Sequence, residues 1–235
     1  MFENLIGSKK IIPKHIAITT EGIEDHSIKN SVSIKDSFDK SKKIIKDMIT
    51  EMIRLDIRIF TIYMISENMK SENHFENRVD FVYELLSELK KNELIINNQV
   101  KVSVLGKWYD LPSRAVEEIK EITSETKDFD KFFLNFCINY DGQEEIVDAC
   151  KLIVRRVLSQ KATIETINKE LIKENLYSSY FIPPEIIIKP RKSNKMGGLL
   201  LYDSMNSFKV TFGRTFPELS KNSIEAAIKA FNTAI

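Results

Sequence analysis

The chain has 235 residues, 43% of them hydrophobic and 29% charged, the composition of a globular domain long enough to bury a sizeable core, which excludes a disordered tail and a membrane protein. Thirty-five Lys and Arg against 34 Asp and Glu leave a formal net charge of +1, so a nucleic-acid binder working by bulk phosphate neutralisation has no basic excess to draw on. Two cysteines, Cys137 and Cys150, are too few for a disulfide framework or a thiolate zinc site, and the seven glycines form neither G-x-G-x-x-G nor G-x-x-x-x-G-K-S/T.

The first ten residues lack a long apolar stretch, and the run at 57–65 is interrupted by Arg58 and too short to cross a bilayer. A cytoplasmic location is therefore expected. A strand is predicted at 15–20, followed by a long amphipathic helix carried by Ile34, Phe38, Ile45, Met48, Ile49 and Met52 at helical spacing. A strand at 58–64 precedes a second such helix, with Phe75, Val79, Val82, Tyr83, Leu86 and Leu89 on its stripe. After a strand at 100–105, a helix opens at Leu111-Pro112-Ser113, where proline suits the first turn. A strand at 131–138 leads to a helix at 141–158 and a shorter one at 164–176, stopped before Pro183-Pro184. Strands at 185–188 and 209–212 and a helix at 223–231 complete the chain. With no repeat and no compositional break, 1–235 reads as a single α/β domain around a mostly parallel sheet. Its ligands are expected at the C-terminal ends of the strands.

Those strand ends carry a series of short motifs. Pro13-Lys14-His15-Ile16-Ala17-Ile18-Thr19-Thr20-Glu21-Gly22 resembles the P-x-H-x-A-I-I-M-D-G-N opening of the cis-prenyltransferases, the undecaprenyl diphosphate synthase family. Ser66-Glu67-Asn68 after Tyr63 resembles its Y-A-F-S-x-E-N segment with one residue deleted. Gly106 with Leu111-Pro112 resembles V-x-x-G-D-x-x-x-L-P, and Asn139-Tyr140-Asp141-Gly142-Gln143-Glu144-Glu145-Ile146 resembles N-Y-G-G-R-x-E-I. Ile186-Ile187-Ile188-Lys189, Leu199-Leu200-Leu201-Tyr202 and Phe216-Pro217-Glu218-Leu219 follow the order of the closing motifs. The resemblance spans nearly the whole chain. It implies a six-stranded sheet surrounded by helices, an apolar tunnel for a prenyl tail, a homodimer or a heterodimer with another chain of the family, and Mg²⁺-assisted condensation of isoprenyl diphosphates. It implies no nucleic-acid partner, and membrane-surface contact only through the product.

The chemistry places cations on a diphosphate leaving group that gains negative charge, and here the sequence departs from the family pattern. The opening Asp becomes Glu21, the next Asn becomes Ile23, the following Arg becomes Asp25 and the Trp becomes His26, while the Arg of N-Y-G-G-R becomes Gln143. The allylic side therefore reads as altered. On the second diphosphate side the family's two arginines fall on Lys189 and Lys195, with Arg191 and Lys192 beside them and Gly197-Gly198 able to offer backbone N–H groups.

Glu21 and Asn68 are thus expected in catalysis. Gly22, Lys189, Arg191, Lys195, Gly197 and Gly198 are expected at diphosphate, Glu21 and Asp25 at Mg²⁺, and Phe75, Tyr83 and Phe133 along the tunnel. The acids Glu21, Glu24 and Asp25 read equally as a solvated turn, the basic run as a solvated loop, His26 as an exposed, idle side chain, and the aromatics as ordinary core. Two functions follow: an atypical enzyme performing a non-standard condensation, rearrangement or cyclisation of an allylic diphosphate, or a degenerate subunit that pairs with an active chain.

Overall fold

The computed structural model of the chain describes residues 11–71, 73–192 and 198–234. Six runs rich in isoleucine, valine and phenylalanine form its sheet: β1 (His15–Thr19), β2 (Ile59–Ser66), β3 (Val100–Leu105), β4 (Phe132–Tyr140), β5 (Ile186–Lys189) and β6 (Phe208–Thr211). Their order is β3-β4-β2-β1-β5-β6, and every neighbouring pair is parallel. Ile18 lies beside Ile62 and Ile188, and Ile62 beside Phe136. All five residues of β1 are buried, as a parallel strand covered on both faces requires, which is why these segments read as continuous apolar runs.

Eight helices accompany the described strands: α1 (Ile23–Asn30), α2 (Ile34–Arg54), α3 (Phe75–Lys90), α4 (Glu93–Asn97), α5 (Ser113–Glu125), α6 (Gly142–Leu158), α7 (Lys169–Glu174) and α8 (Asn222–Ala234). Apolar stripes of α2, α3, α5 and α8 pack with Ile16, Ile18, Phe60, Ile62, Met64 and Phe136 into the larger core. The other face of the sheet carries Ala17, Ile59, Cys137, Tyr140, Phe181 and Ile187 in a second cluster. α2 starts on a capping box, in which the Asp36 amide donates to Ser33 Oγ at 3.0 Å and the Ser33 amide to Asp36 Oδ2 at 3.3 Å.

The structure corrects the sequence reading in three places. The segment after β1 is a helix: Gly22 in a left-handed conformation, φ 83°, turns the chain straight into α1, and Glu24 and Asp25 occupy its first turn, where the helix dipole favours them. The predicted helix at 164–176 is broken into a 3-10 turn (Ile164–Thr166) and α7, because Asn168 caps a new start by accepting from the Leu171 amide at 2.8 Å. β2 runs on to Ser66 through two register shifts against β4, a bulge that delivers the chain into a 3-10 turn (Glu67–Ser71) at the top of the sheet. No helix among the described residues is long and apolar enough to cross a membrane.

Candidate active site

A cavity of about 220 Å³ opens where β1, β2 and β4 end. This is the C-terminal edge of a parallel sheet, where the strands' spent hydrogen-bonding groups and the following loops converge. β1 contributes Thr19 and, just beyond its end, Thr20 and Glu21. β2 contributes Tyr63, Met64 and Ser66, and the 3-10 turn contributes Asn68 and Met69. Arg78 enters from α3, and Asp141 and Gly198 close the far wall.

Each acid at the start of α1 has a cation. Glu21 Oε1 lies 3.7 Å from Nζ of the buried Lys189. Glu24 takes a two-pronged bond from Arg78, Nε to Oε1 at 2.6 Å and Nη2 to Oε2 at 2.7 Å. Burial pushes the Glu24 carboxyl up, but the Arg78 charge and its hydrogen bonds outweigh it and hold the pKa below the usual value. Arg78 Nη1 also donates to Thr20 Oγ1 at 3.1 Å and to the Met64 carbonyl at 3.0 Å, and the guanidinium lies 5.8 Å from the centre of the Phe38 ring. Asp25 pairs with Arg191.

Asp141 is the N-cap of α6, with Oδ1 accepting from the Gln143 amide at 2.7 Å and the Glu144 amide at 3.3 Å. The helix start lies so close to the 198–201 segment that a Cβ on Gly142 would sit 2.4 Å from the Gly198 carbonyl. Tyr63 donates its hydroxyl to the Tyr140 carbonyl at 3.0 Å; burial above all, with the nearby acidic groups, pushes its pKa up and keeps the phenol neutral. In the same wall Thr19 Oγ1 is buried without a hydrogen-bond partner, a polar atom whose desolvation is unrewarded.

Of the residues expected at the site, Glu21, Asn68 and Gly198 share this cavity. Gly22 forms the turn behind it, against Arg191 and Thr215. Lys189 reaches Glu21, whereas Arg191 is committed to Asp25. Lys195 and Gly197 lie outside the described residues. Glu21 and Asp25 are not brought together as metal ligands: each is turned to its own cation, and no group of three His, Cys, Asp or Glu side chains able to hold an ion occurs among the described residues.

The aromatics expected along a tunnel do not line the cavity. Tyr83 is on the outer side of α3, 37% exposed. Phe133 points to the opposite face of the sheet, where it meets Tyr180 at 5.7 Å and Phe181 at 5.8 Å. Phe75 is half-buried against the main core. His26 is buried, not exposed, with Nδ1 2.9 Å from Ser37 Oγ. Burial, followed by the nearby Lys40 charge, lowers its pKa.

Arg78 and Asp141 are the residues that sequence reasoning missed. Arg78 hides within an apolar helical stripe and carries no motif. Asp141 did have a signal, being a carboxylate between a predicted strand and a predicted helix, the position that caps a helix at a ligand-facing sheet edge. With it, the cavity holds two carboxylates, Glu21 and Asp141, and the unpartnered Thr19 hydroxyl. Mg²⁺ usually takes one or two carboxylates together with substrate phosphates, and this donor set fits such an ion.

Residues 22–234 match the family model described as putative undecaprenyl diphosphate synthase. The chain is 30% identical over 224 residues to a tritrans,polycis-undecaprenyl-diphosphate synthase (geranylgeranyl-diphosphate specific) of Thermoplasma acidophilum, covering 93% of this chain and 86% of that one. It is 28% identical over 228 residues to the protein of the same description from Picrophilus torridus, covering 95% and 88%. Its fold superposes on lavandulyl diphosphate synthase from Lavandula x intermedia, solved in complex with dimethylallyl diphosphate, with a TM-score of 0.88 at 18% identity, covering 93% of this chain and 94% of that one.

Proposed function

Because the chain belongs to the undecaprenyl diphosphate synthase family, we propose that it transfers prenyl groups between isoprenyl diphosphates in the cavity at the strand ends, by an atypical route that lacks the family's arginine clamp. The observation that carries this reading is the charge on the cavity wall. Glu21 and Asp141 face it, and the one cation lining it among the described residues, Arg78, is offset by Glu24. Such a wall repels a bare diphosphate and accepts one that arrives with a divalent cation.

Glu21 and Asp141 would hold Mg²⁺, which supplies charge neutralisation to the diphosphate as it leaves. Arg78, anchored by Glu24 so that its guanidinium cannot swing away, stabilises the same developing charge from the α3 side. Asn68 offers an amide to orient a phosphate oxygen, and Met64 and Met69 present an apolar surface to the prenyl tail. In the reaction the allylic C–O bond breaks and the electron pair leaves with diphosphate. The double bond of the second substrate then attacks the allylic carbon, and a proton is lost from the adduct.

One observation favours a second reading, a subunit that completes an active partner: the cations flanking α1, Arg78, Lys189 and Arg191, each face a carboxylate of this chain. Mixing separates the two. The purified chain, with Mg²⁺, isopentenyl or dimethylallyl diphosphate and allylic diphosphates, is expected to form product alone and to lose it in Glu21→Ala. Product that appears only when an active family member is added, and is indifferent to Glu21→Ala, establishes the second reading instead.

A further inference from the structure

The far wall of the cavity joins two segments distant in sequence, the start of α6 at Asp141 and the backbone at Gly198. Both are entered or left through unusual backbone: Asn139, two residues before Asp141, has φ 48°, and Leu200, two residues after Gly198, has φ 43°. Asparagine tolerates the left-handed region, whereas a leucine holds it only where its surroundings impose it. Leu199 and Leu200 are packed into the smaller core, and a buried polar chain lies behind the wall. Glu145, one turn into α6 and without solvent exposure, accepts from the Tyr140 hydroxyl at 2.5 Å and from the Ser178 amide at 3.1 Å. The Ser178 hydroxyl in turn donates to Asp203 Oδ2 at 2.7 Å. Asp203 opens a 3-10 turn (Asp203–Asn206), whose Ser204 amide donates back to the Leu200 carbonyl at 2.8 Å. Lys173 of α7 supplies the cation, with Nζ donating to Asp203 Oδ2 and, at 3.0 Å, to the Ser178 carbonyl.

The two segments are therefore tied twice, at the cavity by the close approach of Gly142 to Gly198 and behind it through Ser178. Two buried carboxylates sharing one lysine are a costly way to fill space that apolar side chains would fill as well. What they add is direction: hydrogen bonds fix the angle between α6 and the 198–206 segment, which packing alone leaves adjustable. Glu145, Ser178 and Asp203 do not line the cavity, so any effect they have on a ligand there is indirect. We propose that these three are positioning residues: they lock the start of α6 against the 198–206 segment so that Asp141 is presented to a diphosphate that arrives with its metal ion. The proposal rests on the diphosphate reading above and adds to it the part of the fold that aims the wall.

Calorimetric titration of the full chain with inorganic diphosphate in Mg²⁺ tests it. Ser178→Ala, which removes one hydroxyl and keeps the amide that Glu145 needs, is expected to weaken binding about tenfold, with the circular dichroism of the folded chain retained. Glu145→Ala should weaken it at least as much. Glu145→Gln keeps the span, its amide oxygen accepting from Ser178 and its NH₂ donating to the Tyr140 oxygen, and should restore binding to within about threefold of the unaltered chain. Because the network acts through Asp141, Ser178→Ala should cause no further loss in an Asp141→Ala chain, whereas a merely structural contribution would repeat there in full. Unaltered binding in Ser178→Ala, a full repeat of its loss in the Asp141→Ala chain, or a Glu145→Gln chain as weak as Glu145→Ala overturns the positioning role and leaves the diphosphate reading intact. If the unaltered chain binds no diphosphate, that reading fails and the positioning role fails with it.

Discussion

The guanidinium of Arg78 donates to four acceptors on three parts of the fold: both oxygens of Glu24 in α1, Thr20 Oγ1 beyond β1 and the Met64 carbonyl of β2. Removing it strands Glu24 and a buried carbonyl, and breaking a buried pair from one side costs about 3 kcal/mol or more. Arg78→Ala is therefore expected to lower the unfolding free energy obtained from urea denaturation by that amount. Arg78→Lys, which keeps the charge but loses the fork, should recover only part of it. His15 gives a second residue-scale expectation. Its Nδ1–H donates to the Ile182 carbonyl at 2.6 Å, which leaves Nε2 as the acceptor for Thr61 at 2.8 Å, so the folded state needs the neutral ring. Burial lowers the pKa from 6.5 to about 4. The unfolded chain thus gains a proton near pH 6.5 and the folded chain only near 4. Stability is complete above pH 6.5 and falls by about 3 kcal/mol as pH drops to 4. Denaturation across that window should show a shallower loss in His15→Gln, and an identical slope would rule His15 out as its source. At this scale the position of Glu21 and Asn68 at the strand ends, beside the cavity, was legible because they sit in motifs. Arg78 was not, because an arginine in an apolar stripe looks the same whether it is buried and paired or lifted into solvent.

At the scale of elements, the strands and long helices were legible because their periods persist: Ile45, Met48, Ile49 and Met52 return to one face of α2 over several turns, and β1 is apolar throughout. α1 escaped notice because eight residues bury only Ile23 and His26, too few to register a period, and because its direction is dictated by the left-handed Gly22 rather than by side chains. Tyr83 lies away from the cavity for a related reason: a stripe says that Phe81 and Tyr83 lie on a helix, not which of them the neighbouring helix covers. Two caps should be measurable. Ser33→Ala removes one half of the α2 capping box and is expected to cost about 1 kcal/mol without altering binding at the cavity. Asp141→Ala should cost a similar amount through α6 and, unlike Ser33→Ala, should also weaken Mg²⁺-dependent diphosphate binding. Equal binding in the two variants would show that Asp141 serves only as a cap.

For the whole molecule, the six-stranded sheet and the family followed from motifs that recur in the right sequence along the chain, whereas the order of the strands and the face by which subunits would pair did not, since these depend on packing and on which faces remain bare. α6 buries Glu145, Ala149 and Ile153 on one side and leaves Val147, Cys150, Val154 and Leu158 exposed on the other, an apolar strip of the kind that marks a contact surface. We expect this strip to join two subunits: the chain should sediment as a dimer and Val154→Asp as a folded monomer. A monomeric parent chain would remove the strip from that role. The claim on which the rest depends is that this cavity, with its own acids and without the arginine clamp, ionises an allylic diphosphate. Release of inorganic diphosphate from dimethylallyl or geranyl diphosphate, with isopentenyl diphosphate and Mg²⁺ present, measures it directly. Steady release by the chain alone is expected, with a loss of at least a hundredfold in Glu21→Ala while that variant stays folded. Release that persists in Glu21→Ala, or its absence from the chain alone, would contradict it.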